Sequence, residues 1–209
     1  MNRRSRSMIA LAAACLLGLA ACSASAPPTR LHTLMPVDYP ARAAAAGAGP
    51  IAIVLEPITV PAQVDQPQWL VRLPDESVAV LEQERWASPL RDELRQALLE
   101  QLAARYGAVE TRAPANASPP AVRIALDLRR FESIPGREAR IDGVWTLVAG
   151  SGAPALRCEA MLREAASAGM PALAAAHRRA VARLAEAIGA SLMALRGGGK
   201  IVCPPLESQ

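Results

Sequence analysis

Histidine is scarce in this chain of 209 residues: only His32 and His177 occur, far apart, with no cysteine or carboxylate at ligand spacing beside either. A metal centre therefore has no ligand set, and a hydrogen-bonded histidine on a helix face is the expected state of His177. The sequence also lacks a Gly-x-Ser-x-Gly elbow and a glycine-rich phosphate loop. Those absences remove the nucleophile-elbow and phosphate-cradle chemistries. Its carboxylates are scattered over expected wet faces and form no general acid/base pair.

Aromatic residues are few as well: three Trp, two Tyr and one Phe. Each tryptophan is then either a large core plug or an anchor at an interface. Trp86, just ahead of a helix, is expected in the core. Trp69 stands beside Pro67, where both roles remain open, and it is a candidate for partner binding.

Apolar residues make up 52% of the chain, enough for a core, and global disorder is excluded. The formal charge of +4 shrinks once the N-terminus is read. Setting aside Arg3, Arg4 and Arg6 takes the 23 basic residues to 20 against 19 acidic ones. So balanced a surface gives no electrostatic case for nucleic acid.

Arg3, Arg4 and Arg6 form a positive n-region, and Met8 to Ala21 is an apolar stretch of Ala and Leu. It falls short of the roughly 20 apolar residues of a membrane span and reads as a signal peptide over residues 1–21. Leu19-Ala20-Ala21-Cys22 fits a bacterial lipobox, with cleavage between Ala21 and Cys22 and lipidation of Cys22. Cys15 has Ala12 at its −3 position and too short an apolar lead, and Arg3-Arg4 lacks the fuller twin-arginine pattern. Lipid chains on Cys22 would anchor the protein without embedding it. Ser23, where an Asp would retain it in the inner membrane, directs it to the periplasmic face of the outer membrane. Residues 22–30, with Pro27-Pro28, form the tether.

Leu31-His32-Thr33-Leu34 alternates as a first strand ending at Pro36. Ala41 to Gly49 reads as a loop. Ile51 to Val60 is the central strand, apolar on both faces, and Trp69 to Arg72 and Val78 to Glu82 form a hairpin around Pro74-Asp75-Glu76-Ser77. Ser88 caps a helix with Pro89 at its first position, Asp92 and Glu93 in its first turn, and a stripe of Leu90, Leu94, Ala97, Leu98 and Leu102 ending at Gly107. Arg112 to Pro120 is a loop. Three strands follow as a meander: Val122 to Arg129, Arg140 to Val148 beyond a turn at Pro135-Gly136, and Leu156 to Arg163 beyond Gly150-Ser151-Gly152. A last helix starts near Pro171, carries Leu173, Ala180, Val181, Leu184, Ile188, Leu192 and Leu195 on one stripe, and stops at Gly197 to Gly199. No internal repeat or second domain is visible. The expected fold is α+β, a mostly antiparallel sheet covered on one face by two helices, over residues 31–196 with a flexible tail at 197–209.

The order Ile51-Ala52-Ile53-Val54-Leu55-Glu56-Pro57-Ile58-Thr59-Val60-Pro61, then Asp65-Gln66-Pro67-Gln68-Trp69-Leu70-Val71-Arg72, then Glu84-Arg85-Trp86-Ala87-Ser88-Pro89-Leu90 resembles the auxiliary lipoprotein family of ABC-type transporters, typified by the lipoprotein of the paraquat-inducible PqiABC system. The resemblance runs from about Leu31 to about Leu195, with Leu31 where the family usually has an aromatic. It implies a subunit that binds partners, uses no cofactor and performs no bond chemistry. The implied partners are a periplasmic MCE-domain protein with its ABC permease and ATPase, and the implied task is moving lipid or an apolar solute between inner and outer membranes. A homo-oligomer stays open. The alternatives are an outer-membrane lipoprotein that serves as a structural or assembly factor for other envelope machinery, and a periplasmic enzyme, whose constellation of groups the sequence does not display.

With Cys22 lipidated, Cys158 and Cys203 are the remaining thiols of the mature chain. They can pair in an oxidising periplasm, or Cys158 can stay free as a small core residue. Arg129, Arg130, Arg137 and Arg140 gather around one hairpin, as a solvated rim or a surface for phospholipid head groups. Arg137 is the second partner-binding candidate.

Overall fold

The computed structural model describes residues 27–36, 49–112, 121–150, 155–197 and 203–204. In chain order these form β1 (Arg30–His32), β2 (Ile51–Leu55), a short 3-10 turn (Ala62–Val64), β3 (Gln68–Arg72), β4 (Val78–Trp86), α1 (Leu90–Tyr106), β5 (Ala108–Glu110), β6 (Val122–Ile134), β7 (Glu138–Ala149), β8 (Leu156–Ala165) and α2 (Met170–Arg196). The signal segment and lipobox lie outside the described residues, as do most of the loops expected at Ala41–Gly49 and Arg112–Pro120 and most of the link after Gly150.

The fold is α+β, as expected, with its longest ladders antiparallel; the strands form two sheets, and these are mixed rather than purely antiparallel. The larger runs β5-β2-β6-β7-β8, and the smaller runs β1-β4-β3. β2 lies parallel to both β5 and β6, and β1 lies parallel to β4. A strand followed by a helix that crosses a sheet face returns in its original direction, and α1 imposes that return between β2 and β5. The ladder of β2 stops at Leu55 because Pro57 has no N–H to give, and pairing resumes only as a bridge between Thr59 and Asp127. β6, not β2, is central.

β6, β7 and β8 form the expected antiparallel meander. Pro135 and Gly136 turn the first hairpin, with Gly136 at φ 69° and the Arg137 N–H donating to the Ile134 carbonyl at 3.1 Å. A register shift between Leu128 and Arg130 breaks the alternation of β6, so that Arg129 and Arg130 both face solvent. Gly143 sits opposite: a Cβ there would come within 2.8 Å of the Asp127 carbonyl and of the Leu128 side chain.

Both helices bury the stripes their spacing prescribes. Leu90, Leu94, Ala97, Leu98 and Leu102 of α1 and Leu173, Ala180, Val181, Leu184, Ile188 and Leu192 of α2 are buried, and Leu195 is partly so. Gly107 ends α1 in the left-handed region at φ 64°. The helices meet where Tyr106 lies over Gly189, whose missing side chain makes room for the ring. Ser88 does not cap α1 through its own side chain; its N–H and hydroxyl turn to Glu93 instead. In β1 the expected faces are exchanged, with Leu31 at the surface and His32 turned inward.

Candidate functional site

The two segments richest in distinctive residues, Gln66-Pro67-Gln68-Trp69 and Glu84-Arg85-Trp86-Ala87-Ser88-Pro89, meet in space. β3 and β4 are antiparallel neighbours with a register shift at Gln68/Trp69, and the Trp86 N–H donates to the Pro67 carbonyl at 3.3 Å. The shift turns Trp69 and Trp86 to the same side, ring centroids 4.1 Å apart. His32 meets Trp69 edge-on at 4.9 Å, and Phe131 meets Trp86 edge-on at 5.9 Å. His177 stacks on Phe131 at 4.1 Å with the planes 9° apart. Both histidines and three of the six aromatic residues thus share one cluster.

Polar groups thread this cluster. The Trp69 Nε1–H donates to Ser133 Oγ at 2.7 Å, and Ser133 Oγ lies 2.8 Å from His177 Nε2. Burial alone pushes the His177 imidazole down to about 3, so it is neutral across the physiological range. A Ser–His contact is the opening of a nucleophile–base arrangement, but this one is shut away from solvent, and among the described residues no third group completes it. Ser133 and His177 are both buried, and among the described residues none hydrogen-bonds His177 Nδ1 to orient it. The contact orders the core.

Two buried carboxylates tie the short strand β1 to the rest. Glu84 lies 2.6 Å from His32 Nε2 and also pairs with Arg30. Glu93, on the first turn of α1, accepts the Thr33 hydroxyl at 2.7 Å, the Leu34 N–H at 2.8 Å, the Ser88 hydroxyl at 2.9 Å and the Ser88 N–H at 3.1 Å. Four donors on one carboxylate satisfy it where water is scarce.

In front of this network an open groove of about 490 Å³ is lined by Asp65, Gln66, Pro67, Trp86, Ser88, Pro89, Arg91 and Asp92. Asp65 and Arg91 form an ion pair on its rim. The two proline rings of its lining offer apolar contact area beside the Asp65–Arg91 ion pair. Among the described residues no group of three His, Cys, Asp or Glu side chains is placed to hold a metal ion.

The structure joins Cys158 and Cys203 as a disulfide with Cα atoms 5.5 Å apart, which fixes the chain at Cys203 against β8. Trp69 is 1% exposed with its indole N–H bonded inside, so it is a core plug and no partner can use it as an anchor. Arg137 is well exposed and lies 3.4 Å from Glu138. Its neighbours are matched too: Arg130 with Asp142, Arg140 with Glu138, Arg129 with Glu159. A hydrogen bond from Arg140 holds the Glu138 carboxyl below its ordinary range. The rim is a ladder of ion pairs. Cys22 and Ala21 lie outside the described residues.

The buried, bonding roles of Ser133, Glu84 and Glu93 were not expected from sequence. Glu93 carried a signal: Leu90, Glu93, Leu94 and Ala97 follow helical spacing, so this carboxylate sits inside an apolar stripe. Glu84 shares its strand face with Trp86.

The distinctive residues of this α+β domain thus build a buried aromatic core and line an open groove beside it. The chain belongs to the family described as ABC-type transport auxiliary lipoprotein component, whose model matches residues 32–189. No curated protein matches it. Two crystal structures share its fold. One is of an uncharacterised protein, 15% identical, covering 78% of this chain and 98% of its own with a TM-score of 0.61. The other is protein XCC0632 from Xanthomonas campestris, of family DUF330, 20% identical, covering 82% of this chain and 96% of its own with a TM-score of 0.57.

Proposed function

We propose that this protein is the lipid-anchored periplasmic accessory subunit of an MCE-type ABC transport system. It would hold partners at the periplasmic face of the outer membrane while lipid or an apolar solute passes between the membranes. The family match over residues 32–189 carries this reading, because it spans all of α1, most of α2 and every strand except the start of β1. The lipobox ending at Cys22 supplies the anchor, and Ser23 the outer-membrane address. The chain then divides into a signal peptide at 1–21, lipidated Cys and tether at 22–30, domain at 31–196 and tail at 197–209. Its task is done by binding: Ser133 and His177 are shut away, and the groove offers contact surface.

The test is crosslinking in intact cells through a tag at the C-terminus, followed by identification of what co-purifies. Recovery of an MCE-domain protein with its permease is the expected result. Recovery of unrelated outer-membrane proteins alone would replace this reading with that of a structural factor for other envelope machinery.

A further inference from the structure

We infer that the outer edge of β4, from Val78 to Glu82, is a docking site that takes an extended segment of the transporter partner as an added strand. The inference rests on the accessory-subunit reading and says where its partner binds. β4 is nine residues long, but on the side away from β3 only Glu84, Arg85 and Trp86 are paired, with the three residues of β1. Among the described residues no strand pairs with the remainder of that edge. β1 cannot be lengthened to cover it, since Pro27 and Pro28 stand just before Thr29 and carry no N–H.

The ladder geometry shows which groups are left outward. The Leu73 N–H donates to the Ser77 carbonyl at 2.8 Å, and inward-pointing residues alternate from there along an antiparallel pair. Ala79 and Leu81 therefore address β3, while Val78 and Val80, which precede the register shift, turn their backbone N–H and C=O groups to the open edge. Val78 and Val80 are also 55% and 43% exposed. An edge with free donors, free acceptors and branched apolar side chains is a template for strand addition.

The outer edge of β8 is longer but guarded. Arg157, Glu159 and Arg163 are exposed along it, and charges of that kind deter pairing. β4 has valines in the corresponding role. Lipid cannot be the occupant of the β4 edge, because unpaired backbone groups are costly in a bilayer. Exposed Asp75, Glu76 and Glu82 flank the edge, while Arg72 is engaged with Glu132. The charge pattern fits an incoming strand with apolar side chains at alternate positions and basic residues at its ends. With Cys22 as the anchor, Pro27 is at most about 18 Å of extended chain from the lipid, so the partner strand would be met close to the membrane.

The test places a photoreactive residue at Val78 or Val80, or at Met161 of β8, in the full-length protein in cells. Adducts from positions 78 and 80 with one extended segment of the co-purifying transporter subunit, and none from 161, are expected. Val78→Lys with Val80→Lys, and separately Val80→Pro, should each lower recovery of that subunit at least about tenfold while thermal melting stays unchanged. The proline removes only an N–H that faces away from β3. Recovery of the partner by both variants at the wild-type level, or adducts only with a second copy of this chain, would overturn the docking site and leave the proposed function standing. Failure of the wild-type protein to recover any transporter subunit would instead overturn the function, and the docking site with it.

Discussion

His177 lies flat on Phe131, 4.1 Å away, and its Nε2 is hydrogen-bonded with the Ser133 hydroxyl. Such a site holds imidazole only in its neutral form, and burial lowers its pKa from 6.5 to about 3. The unfolded chain binds a proton below about pH 6.5 that the folded chain refuses until about pH 3, so this contribution to stability is complete above 6.5 and is lost as pH falls through that window. The loss amounts to about 1.4 kcal/mol per pH unit from this residue. Urea unfolding at several pH values should show the slope, and His177→Gln, which keeps a bond to Ser133 but does not titrate, should reduce it by that amount. Equal slopes in the two proteins would refute the assignment.

Glu93 holds β1 to the helix. Glu93→Ala leaves the Leu34 and Ser88 N–H groups without their acceptor and should cost about 3 kcal/mol, as expected for buried donors that lose a charged partner. The damage should begin locally. Limited proteolysis should cut near residues 30–36 in the variant at protease levels that spare the wild type, and simultaneous loss of the whole domain would argue against a clasp.

How far the sequence led is clearest from residues near these two. The helix stripes from Leu90 to Leu102 and from Leu173 to Leu192 were legible because a 3.6-residue period is a local property. The fate of Trp69 was not, since it depends on the register shift beside Gln68 and on Ser133, which is distant in sequence. The parallel partners of β2 were hidden for the same reason: strand direction is set by where α1 returns the chain. Leu31 and His32 exchanged faces because Glu84 offers the imidazole a partner that leucine cannot use. The groove's residues were visible as motifs, but only their meeting across β3 and β4 made a surface.

The bond between Cys158 and Cys203 closes a loop across a separation of 45 residues, which includes the whole of α2. Constraining the unfolded chain over such a length should contribute about 2–4 kcal/mol. The mature oxidised protein, unfolded without reductant, should show no reactive thiol, and reduction should lower its melting temperature. Two titrating thiols before reduction would remove the bridge.

The anchor makes a separable prediction, because Pro27 and Pro28 stand between Cys22 and β1 and have no N–H with which to extend its ladder. β1 is secured by Glu84 and Glu93 after the tether has ended, so loss of the lipid should free the domain without loosening it. Cys22→Ala should leave the protein unprocessed or release it to the soluble periplasmic fraction, with the melting temperature of the released domain unchanged. Fractionation and intact mass decide the point together. A variant that still sediments with the outer membrane and keeps the mass of a processed, acylated chain would show that residue 22 is not the attachment site. A released domain that melts several degrees lower would show instead that the tether contributes to the fold, against the independence that Pro27 and Pro28 impose where β1 begins.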